Sequence, residues 1–278
     1  ISEVTGQQNG KPFFNKLNLV RVPLRLGFDE KKKKTISPER IKMFMECMKA
    51  YRHLMNAYDV QHILACATSA MRDATNSATI TEQVLKETGI KIEVISGDLE
   101  ANLIYENHVA ENMDSSKSYL YIDVGGGSTE LSFFSNSILI FKKSFNIGTI
   151  RLLKNFVTEE EWDTLKNTVK AVTKGHKEVV AIGSGGNINK VFSMSKRKEG
   201  RPLDLELLKD YYRELGAVSV AERITRYNLK EDRADVIVPA LQIYSNVMRW
   251  ADAKEIFVPK IGLADGLIQH LWTQVQDK

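Results

Sequence analysis

The spacing of hydrophobic residues near the start of the chain predicts a strand followed by a helix. Residues 17–26 alternate apolar and polar side chains, which is the period of a β-strand. From residue 41 to residue 58 the apolar side chains recur every three to four positions, as they do on the buried face of a helix. Ser37, Pro38 and Glu39 supply the N-cap, the first-turn proline and the first-turn acid of that helix.

Strand-like and helix-like segments continue to alternate as far as residue 113. Strands are predicted at residues 60–65 and 91–95, and helices at residues 67–72, 81–88 and 98–112. Alternation of this kind is typical of an α/β layer with parallel strands. Because residues 114–118 are small and polar, we predict a first α/β domain over residues 1–116.

The rest of the chain predicts a second α/β domain over residues 117–262. It opens with three successive strands, at residues 119–124, 131–134 and 138–145. A buried strand at residues 179–182 leads into a glycine turn at residues 183–187, called the second glycine turn below, and the longest helix is predicted at residues 230–250. After a last strand at residues 255–259, we expect the closing helix, residues 263–278, to complete the first domain. Two such halves indicate a duplicated domain with a cleft between the copies.

Residues 119–131 carry the strongest chemical signal in the chain. An apolar strand delivers Asp123 to the edge of a sheet, three glycines follow, and Ser128 and Glu130 stand where the strand pattern resumes. Glycine lets backbone N–H groups approach a ligand closely, and successive N–H groups in such a turn form an anion-binding concavity. An ordinary hairpin turn is the alternative, but two glycines suffice for a hairpin. The segment therefore favours phosphate binding.

Composition argues against several classes of protein. Hydrophobic residues make up 43% of the 278 residues, enough for the cores of two domains. The two cysteines, Cys47 and Cys66, have no paired spacing, which argues for a reducing compartment and against a thiolate metal site. The five histidines are scattered and form no pair with metal-ligand spacing. We therefore expect neither a disulfide scaffold nor a histidine-metal enzyme.

Charge and hydropathy set our expectation for partners. The net charge of +4 is weak evidence for a polyanionic partner, and the basic run at residues 31–34 is interpreted as a solvated loop. The chain has no nucleic-acid-binding signature and no apolar stretch of the roughly 18 residues that a membrane span needs. We expect a cytoplasmic protein that binds neither nucleic acid nor membrane.

Six segments together resemble the exopolyphosphatase and guanosine pentaphosphate phosphohydrolase family. Each segment alone is a weak signal, but all six occur in the order that the family has them. They are residues 67–76, 95–101, 121–131, 181–186, 233–237 and 262–267. The resemblance implies an α/β fold of two ribonuclease H-like domains with an interdomain cleft, as in the superfold shared by actin, sugar kinases and heat shock ATPases.

The resemblance also implies two catalytic residues. Arg72 lies in the segment that bears a phosphate-contacting arginine in the family, although a surface ion pair with Asp73 is the alternative. Asp98 and Glu100 both lie near a predicted helix start, where an acid can simply complement the helix dipole. The local sequence does not separate these two acids, and the resemblance assigns the role of general base to Glu100.

The remaining site residues are expected around the glycine turn. The backbone N–H groups of four residues are expected to bind phosphate: Gly125, Gly126, Gly127 and Ser128. Asp123 is expected to coordinate Mg²⁺, and Glu130 to support the metal or the attacking water. Closure of the two domains is expected to exclude bulk water and bring Glu100 toward the phosphate.

The chain departs from the family pattern at two places. It begins at Ile1, after the position of the family's first phosphate loop, and we expect the natural protein to carry about 15 further residues for that strand and turn. Where many relatives have Arg-Glu in the last motif, this chain has Ala264 and Asp265, so Lys260 is considered as a substitute.

The predicted function is release of terminal phosphate from inorganic polyphosphate, guanosine pentaphosphate or both. A kinase of the same superfold is one alternative, but the acid after the first domain's strand is Glu100 rather than an aspartate base, which favours water as acceptor. A sensor that binds polyphosphate or the nucleotide without turnover is the other. A homodimer is considered.

Overall fold

The chain forms two compact units. The computed structural model describes residues 1–8, 11–28, 34–97, 99–100, 114, 116–176, 178–259 and 263–276. One unit comprises Ile1–Ile95 with Leu267–Lys278, and the other comprises Ser96–Gly266. The sequence-based boundary lies at residue 116, whereas this division assigns residues 96–116 to the second unit. Most of the closing helix groups with the first unit.

In the residues described before Ile95, the first unit contains two small sheets and three α-helices. Strands β1 and β2 form an antiparallel hairpin, and β3 and β4 pair in parallel. The elements are β1 Ser2–Gln8, β2 Lys11–Lys16, a 3₁₀ turn at Leu26–Phe28, α1 Pro38–Ala57, β3 Ala65–Ala67, α2 Ser69–Asp73, α3 Ser77–Thr88 and β4 Ile92–Val94. Its core lies between α1, α3 and the β3–β4 pair, around Phe44, Met71 and Ile80.

The strand predicted at residues 17–26 is wrong. Residues 17–25 have no regular secondary structure, and a 3₁₀ turn follows. A strand is stable when one face is buried and its backbone is paired. Here Leu17 is 45% exposed and Leu19 is 70% exposed, so the alternating side chains define no buried face.

Helix α1 follows the predicted pattern closely. The Ser37 hydroxyl accepts a hydrogen bond from the Arg40 amide and caps the helix, and Pro38 occupies the first turn. Gly89 ends α3 in the left-handed conformation, with φ +67°, as the sequence predicts. The helix predicted at residues 98–112 lies outside the described residues except for residues 99 and 100.

A six-stranded sheet forms the centre of the second unit. Its strand order is β7-β6-β5-β8-β10-β9. Strands β5, β6 and β7 form an antiparallel meander, whereas β8 pairs in parallel with both β5 and β10. The strands are β5 Ser118–Val124, β6 Thr129–Ser135, β7 Ile138–Phe145, β8 Val179–Ser184, β9 Leu203–Asp204 and β10 Glu255–Phe257.

Helices follow β7, β8, β9 and β10. They are α4 Thr149–Leu153, α5 Glu159–Thr173, α6 Gly186–Ser195, α7 Leu205–Gly216, α8 Val220–Tyr227, α9 Glu231–Ala234, α10 Ile237–Trp250 and the closing helix α11 Leu263–Gln276. The single helix predicted at residues 230–250 is therefore two helices. Pro239 explains the break, because a proline is tolerated in the first turn of a helix but clashes with the preceding turn inside one.

Helix α10 is the central helix of the second unit. Its buried residues join the strands β5, β6 and β8 in one apolar core, which includes Ile122, Phe133 and Leu241. Within the described ranges, every helix is too short or too polar to cross a bilayer.

Candidate functional site

The first glycine turn joins β5 to β6. The two strands are paired so that Asp123 faces Glu130 and Val124 faces Thr129, which leaves residues 125–128 as the turn. The amide of Gly125 donates to the Ser128 carbonyl at 2.9 Å and closes the turn. This corrects the expectation that the Gly125 amide binds phosphate, because that amide is already engaged.

Helix α4 holds the glycine turn from behind. The amide of Thr149 donates to the Gly125 carbonyl at 3.0 Å, and the amide of Ile150 donates to the Gly126 carbonyl at 2.9 Å. The Nε of Arg151 donates to the Gly127 carbonyl at 2.7 Å. Three successive carbonyl groups therefore point toward α4.

This arrangement directs the amides of the glycine turn away from α4. In a trans peptide the carbonyl and the following N–H point in opposite directions. Holding the carbonyls of residues 125–127 therefore directs the amides of Gly126, Gly127 and Ser128 away from α4. No acceptor in the described part of the chain receives a hydrogen bond from these three amides, so they can bind an anion.

Gly148 allows the turn to lie directly on the start of α4. A Cβ atom on Gly148 would lie 2.5 Å from the Gly127 carbonyl carbon and closer still to the Gly126 carbonyl oxygen. This support was not predicted from the sequence. The available signal was Gly148 and Thr149 shortly after the end of β7, where the chain turns back toward the β5–β6 hairpin.

Glu130 faces this turn from β6. It is 4% exposed, and its Oε1 accepts a hydrogen bond from the Ser144 hydroxyl at 2.7 Å. Burial and the neighbouring charge of Glu100 raise the pKa of Glu130 to about 8, although hydrogen bonds from Ser128 and Ser144 act in the opposite direction. Burial also raises the pKa of Asp123, and the neighbouring Ser184 hydroxyl offsets part of that shift.

Glu100, Asp123 and Glu130 therefore form an acidic cluster in the second unit. Glu100 is 8% exposed, and its charge, like that of Asp123, acts directly on Glu130. Like charges at such a site are stable only when one is protonated or a cation is bound. Asp98, the other candidate base, lies outside the described residues.

The acidic cluster offers carboxylate ligands to a metal ion. Within the described ranges, no three His, Cys, Asp or Glu residues form a ready metal-binding group. Mg²⁺ does not need one, because it is commonly bound by one or two carboxylates together with phosphate oxygens and water. Asp123 and Glu130 are directly paired across two strands beside the outward-facing amides, so the donors present fit Mg²⁺.

The second glycine turn packs against the acidic cluster. Gly185 follows β8 with φ +108°, a conformation that other residues rarely adopt. A Cβ atom on Gly185 would lie 3.0 Å from Asp123 Oδ1 and 3.2 Å from the Val124 carbonyl oxygen. The glycine therefore allows the end of β8 to lie directly beside the Asp123 carboxylate.

Arg233 adds a positive charge to the second unit. Its guanidinium fills the space where a side chain on Gly186 would stand, and its Nη1 donates to Asn187 Oδ1 at 3.2 Å. Arg233 lies in one of the six family-like segments, residues 233–237, and no role was predicted for it. The structure places its charge at the start of α6, which follows the second glycine turn.

Arg72 belongs to the first unit. It lies on α2, and its Nη1 donates to the carbonyl of Ile95, the last residue of that unit's first segment. The described contacts of the second unit bring together the other predicted residues: Glu100, Asp123, Gly126, Gly127, Ser128 and Glu130. Lys260, considered as a substitute phosphate contact, lies outside the described residues.

Comparisons with known proteins point to one family. The sequence model of the Ppx/GppA phosphatase family matches residues 4–274. The chain is 36% identical over 136 residues to a bifunctional 3-dehydroquinate synthase/phosphatase of Fusobacterium nucleatum, covering 48% of this chain and 20% of that protein. It is 27% identical over 264 residues to a guanosine-5'-triphosphate,3'-diphosphate pyrophosphatase of Pseudoalteromonas translucida, covering 90% of this chain and 51% of that protein. The chain thus spans about half or less of the length of these two relatives.

A solved structure supports the fold. The chain superposes on an exopolyphosphatase from Cytophaga hutchinsonii with a TM-score of 0.80 and 24% identity, covering 99% of this chain and 93% of that one. At this identity the likeness concerns the fold alone. Together with the family match, it confirms the predicted α/β fold class.

Proposed function

Because the chain belongs to the Ppx/GppA phosphatase family, we propose that it is a phosphoanhydride hydrolase. The proposed reaction is attack of water on the terminal phosphorus of inorganic polyphosphate or guanosine pentaphosphate. The products are inorganic phosphate and a substrate shorter by one phosphate. The two relatives named above, a phosphatase and a guanosine-5'-triphosphate,3'-diphosphate pyrophosphatase, support this chemistry by their names.

One observation carries the proposal more than any other. Helix α4 turns the amides of Gly126, Gly127 and Ser128 outward, and the acidic cluster lies beside that turn. Donors that are already held in place stabilise the charge of a phosphoryl group without reorganising during the reaction. An adjacent carboxylate can accept a proton from the attacking water.

Each residue of the site has a proposed task. The three outward amides bind the oxygens of the terminal phosphate, and Glu100 accepts the proton of the attacking water. A proton on Glu130 removes a like charge from beside Glu100 whenever no cation is present. Asp123 and Glu130 would hold Mg²⁺, which neutralises phosphate charge when it is bound.

Arg72 is proposed to contact the phosphoryl group from the first unit. A guanidinium presents several N–H groups in one plane, so it can hold the Ile95 carbonyl with one of them and still donate to phosphate with others. This role rests on the family-like segment around Arg72.

A phosphate-release assay tests the proposal. The full-length protein is incubated with polyphosphate and, separately, with guanosine pentaphosphate, each with and without Mg²⁺. We expect Mg²⁺-dependent release of phosphate from at least one of them. Glu100→Gln should lower the rate by about two to four orders of magnitude while binding of the substrate, measured by calorimetry, stays nearly unchanged.

The exposed Glu160, on α5, provides a matched control. Glu160→Gln makes the same chemical change on the surface and should behave as the wild type. Binding without turnover by the wild type would show a sensor instead of an enzyme, and transfer of phosphate to an organic acceptor would show a kinase. A normal rate in Glu100→Gln would assign the base to another acid.

A cytoplasmic location and a homodimer stay predictions. Cys47 and Cys66 are both free, which fits a reducing compartment. Light scattering of the purified protein decides the oligomeric state.

A further inference from the structure

Tyr244 connects the two glycine turns from the core of the second unit. It lies on the buried face of α10 and is 1% exposed. Its hydroxyl donates to the carbonyl of Ser184, the last residue of β8, and lies near the backbone of Val124, the last residue of β5. One hydroxyl therefore lies beside both strand ends from which the glycine turns begin.

The same hydroxyl lies close to the acidic cluster. A Cβ atom on Gly185 would lie 3.0 Å from Asp123 Oδ1 and 3.6 Å from the Tyr244 hydroxyl oxygen. The parallel pairing of β5 with β8 ends at the pair Asp123 and Ser184. Beyond that pair the two strands are no longer paired, and the Tyr244 hydroxyl lies between their ends.

A purely packing role would not require this hydroxyl. In α10, which is described throughout, the buried residues other than Tyr244 carry no side-chain oxygen; they are Ile237, Ala240, Leu241, Ile243, Val247 and Met248. A buried hydroxyl costs free energy unless it is hydrogen-bonded. A phenylalanine would fill nearly the same volume in this apolar core without that requirement.

We propose that Tyr244 is a positioning residue whose hydroxyl holds the ends of β5 and β8 at the spacing that directs the Asp123 carboxylate and the first glycine turn toward the bound phosphate. The proposal rests on the proposed function of the site. Residues that orient ligands from behind typically change metal affinity or activity by about 10- to 100-fold when they are replaced. Tyr244 acts through Val124, Ser184 and their neighbours, and it does not itself contact the substrate.

The test replaces the hydroxyl and keeps the ring. Tyr244→Phe is compared with Tyr227→Phe, which removes a hydroxyl that donates to Glu214 Oε1 at 2.8 Å on the exposed surface of the same unit. Phosphate release gives kcat and KM on polyphosphate, and electron paramagnetic resonance measures the binding of Mn²⁺ directly, without turnover. Thermal melts monitor the fold of each variant.

We expect Tyr244→Phe to lower kcat by about 10- to 100-fold and to weaken Mn²⁺ binding by a similar factor, with KM changed far less. Tyr227→Phe should match the wild type in all of these. Ile243→Val removes one methylene group from the same buried helix face. It is the control that measures the effect of a small loss of packing alone. It should change the melting temperature without changing Mn²⁺ binding.

Two results would overturn the proposal. In the first, Tyr244→Phe has the kcat and the Mn²⁺ affinity of Tyr227→Phe. In the second, Ile243→Val loses kcat and Mn²⁺ binding as Tyr244→Phe does at an equal loss of melting temperature, which would show a structural role only. A wild-type protein that binds Mn²⁺ but releases no phosphate would refute the proposed function, and the Mn²⁺ affinities of the variants would still decide the role of Tyr244.

Discussion

Replacing Gly148 by alanine should lower both the stability and the phosphate-release rate of the protein, although Gly148 is not proposed to contact the substrate. The added methyl group would lie 2.5 Å from the carbonyl carbon of Gly127, which is 0.9 Å less than the 3.4 Å at which ordinary contact begins. Gly148 has φ −139°, so the backbone conformation itself suits alanine. The whole effect is therefore steric, and it acts on backbone atoms that cannot rotate away.

The size of the effect follows from that overlap. Inserting atoms into a packed region typically costs about 1–3 kcal/mol, and the fixed backbone on the other side puts Gly148→Ala near the upper end. For a chain of this size, a loss of about 3 kcal/mol lowers the melting temperature by about 6–12 °C. If the glycine turn instead moves by about 1 Å to relieve the overlap, phosphate release should fall by about 100-fold.

Thermal melts and the phosphate-release assay measure both parts of this prediction. Gly216→Ala is the matched control, because Gly216 ends α7 and its added methyl group would lie 3.9 Å from Val238 Cγ1, an ordinary contact. Alanine favours helix over glycine by about 1 kcal/mol, so Gly216→Ala should be neutral or stabilising and fully active. Wild-type stability together with wild-type activity in Gly148→Ala would refute the packing of the glycine turn against α4.

Three further predictions concern single side chains of the site. Arg72→Lys should raise KM for polyphosphate by about tenfold, because an ammonium group lacks the planar set of donors; unchanged kinetics would make Arg72 a structural residue. The pKa of Glu130 is about 8 in the folded protein, against 4.5 for an exposed glutamate, so the folded state holds an extra proton between these two pH values. In metal-free protein the stability should therefore fall as pH rises from about 5 to 8, and Glu130→Gln should reduce that slope in thermal melts. An equal slope in both proteins would contradict the burial of this acid. Arg151→Met should lower phosphate release by about tenfold or more while the far-ultraviolet circular dichroism is retained, since Gly127 loses the donor to its carbonyl; full activity would show that the Thr149 and Ile150 amides alone hold the turn.

The sequence predicted the elements whose signals are local. The strand at Ile138–Phe145 has the bounds that the hydrophobic pattern indicates, and the closing helix begins at Leu263 as predicted. Residues 125–128 form the turn between the two strands expected around them. In these places the period of the side chains and the turn residues point to the same structure, which is the condition for reliable prediction from sequence.

The contacts that complete the site come from residues far apart in the chain. The Gly127 carbonyl is bound by Arg151, 24 positions away, and the Ser184 carbonyl by Tyr244, 60 positions away. The local spacing of hydrophobic residues carries no information about contacts between residues so far apart in the sequence. The same limitation explains the error at residues 17–26, where alternating side chains predicted a strand although no part of the protein buries one face of that segment.

The backbone amides that are proposed to bind phosphate are distinct from the side chains that hold the glycine turn and the strand ends in place. The amides of Gly126, Gly127 and Ser128 are directed by peptide geometry and need no side chain to bind an anion. The side chains that fix their direction therefore contact the opposite side of the turn. Arg151 holds a carbonyl from α4, and Tyr244 holds the strand end from α10. A preorganised oxyanion site loses its advantage when its donors must be reoriented during the reaction. Replacing either supporting residue should therefore reduce the rate more than the affinity for substrate, which distinguishes both from a residue that contacts the phosphate itself.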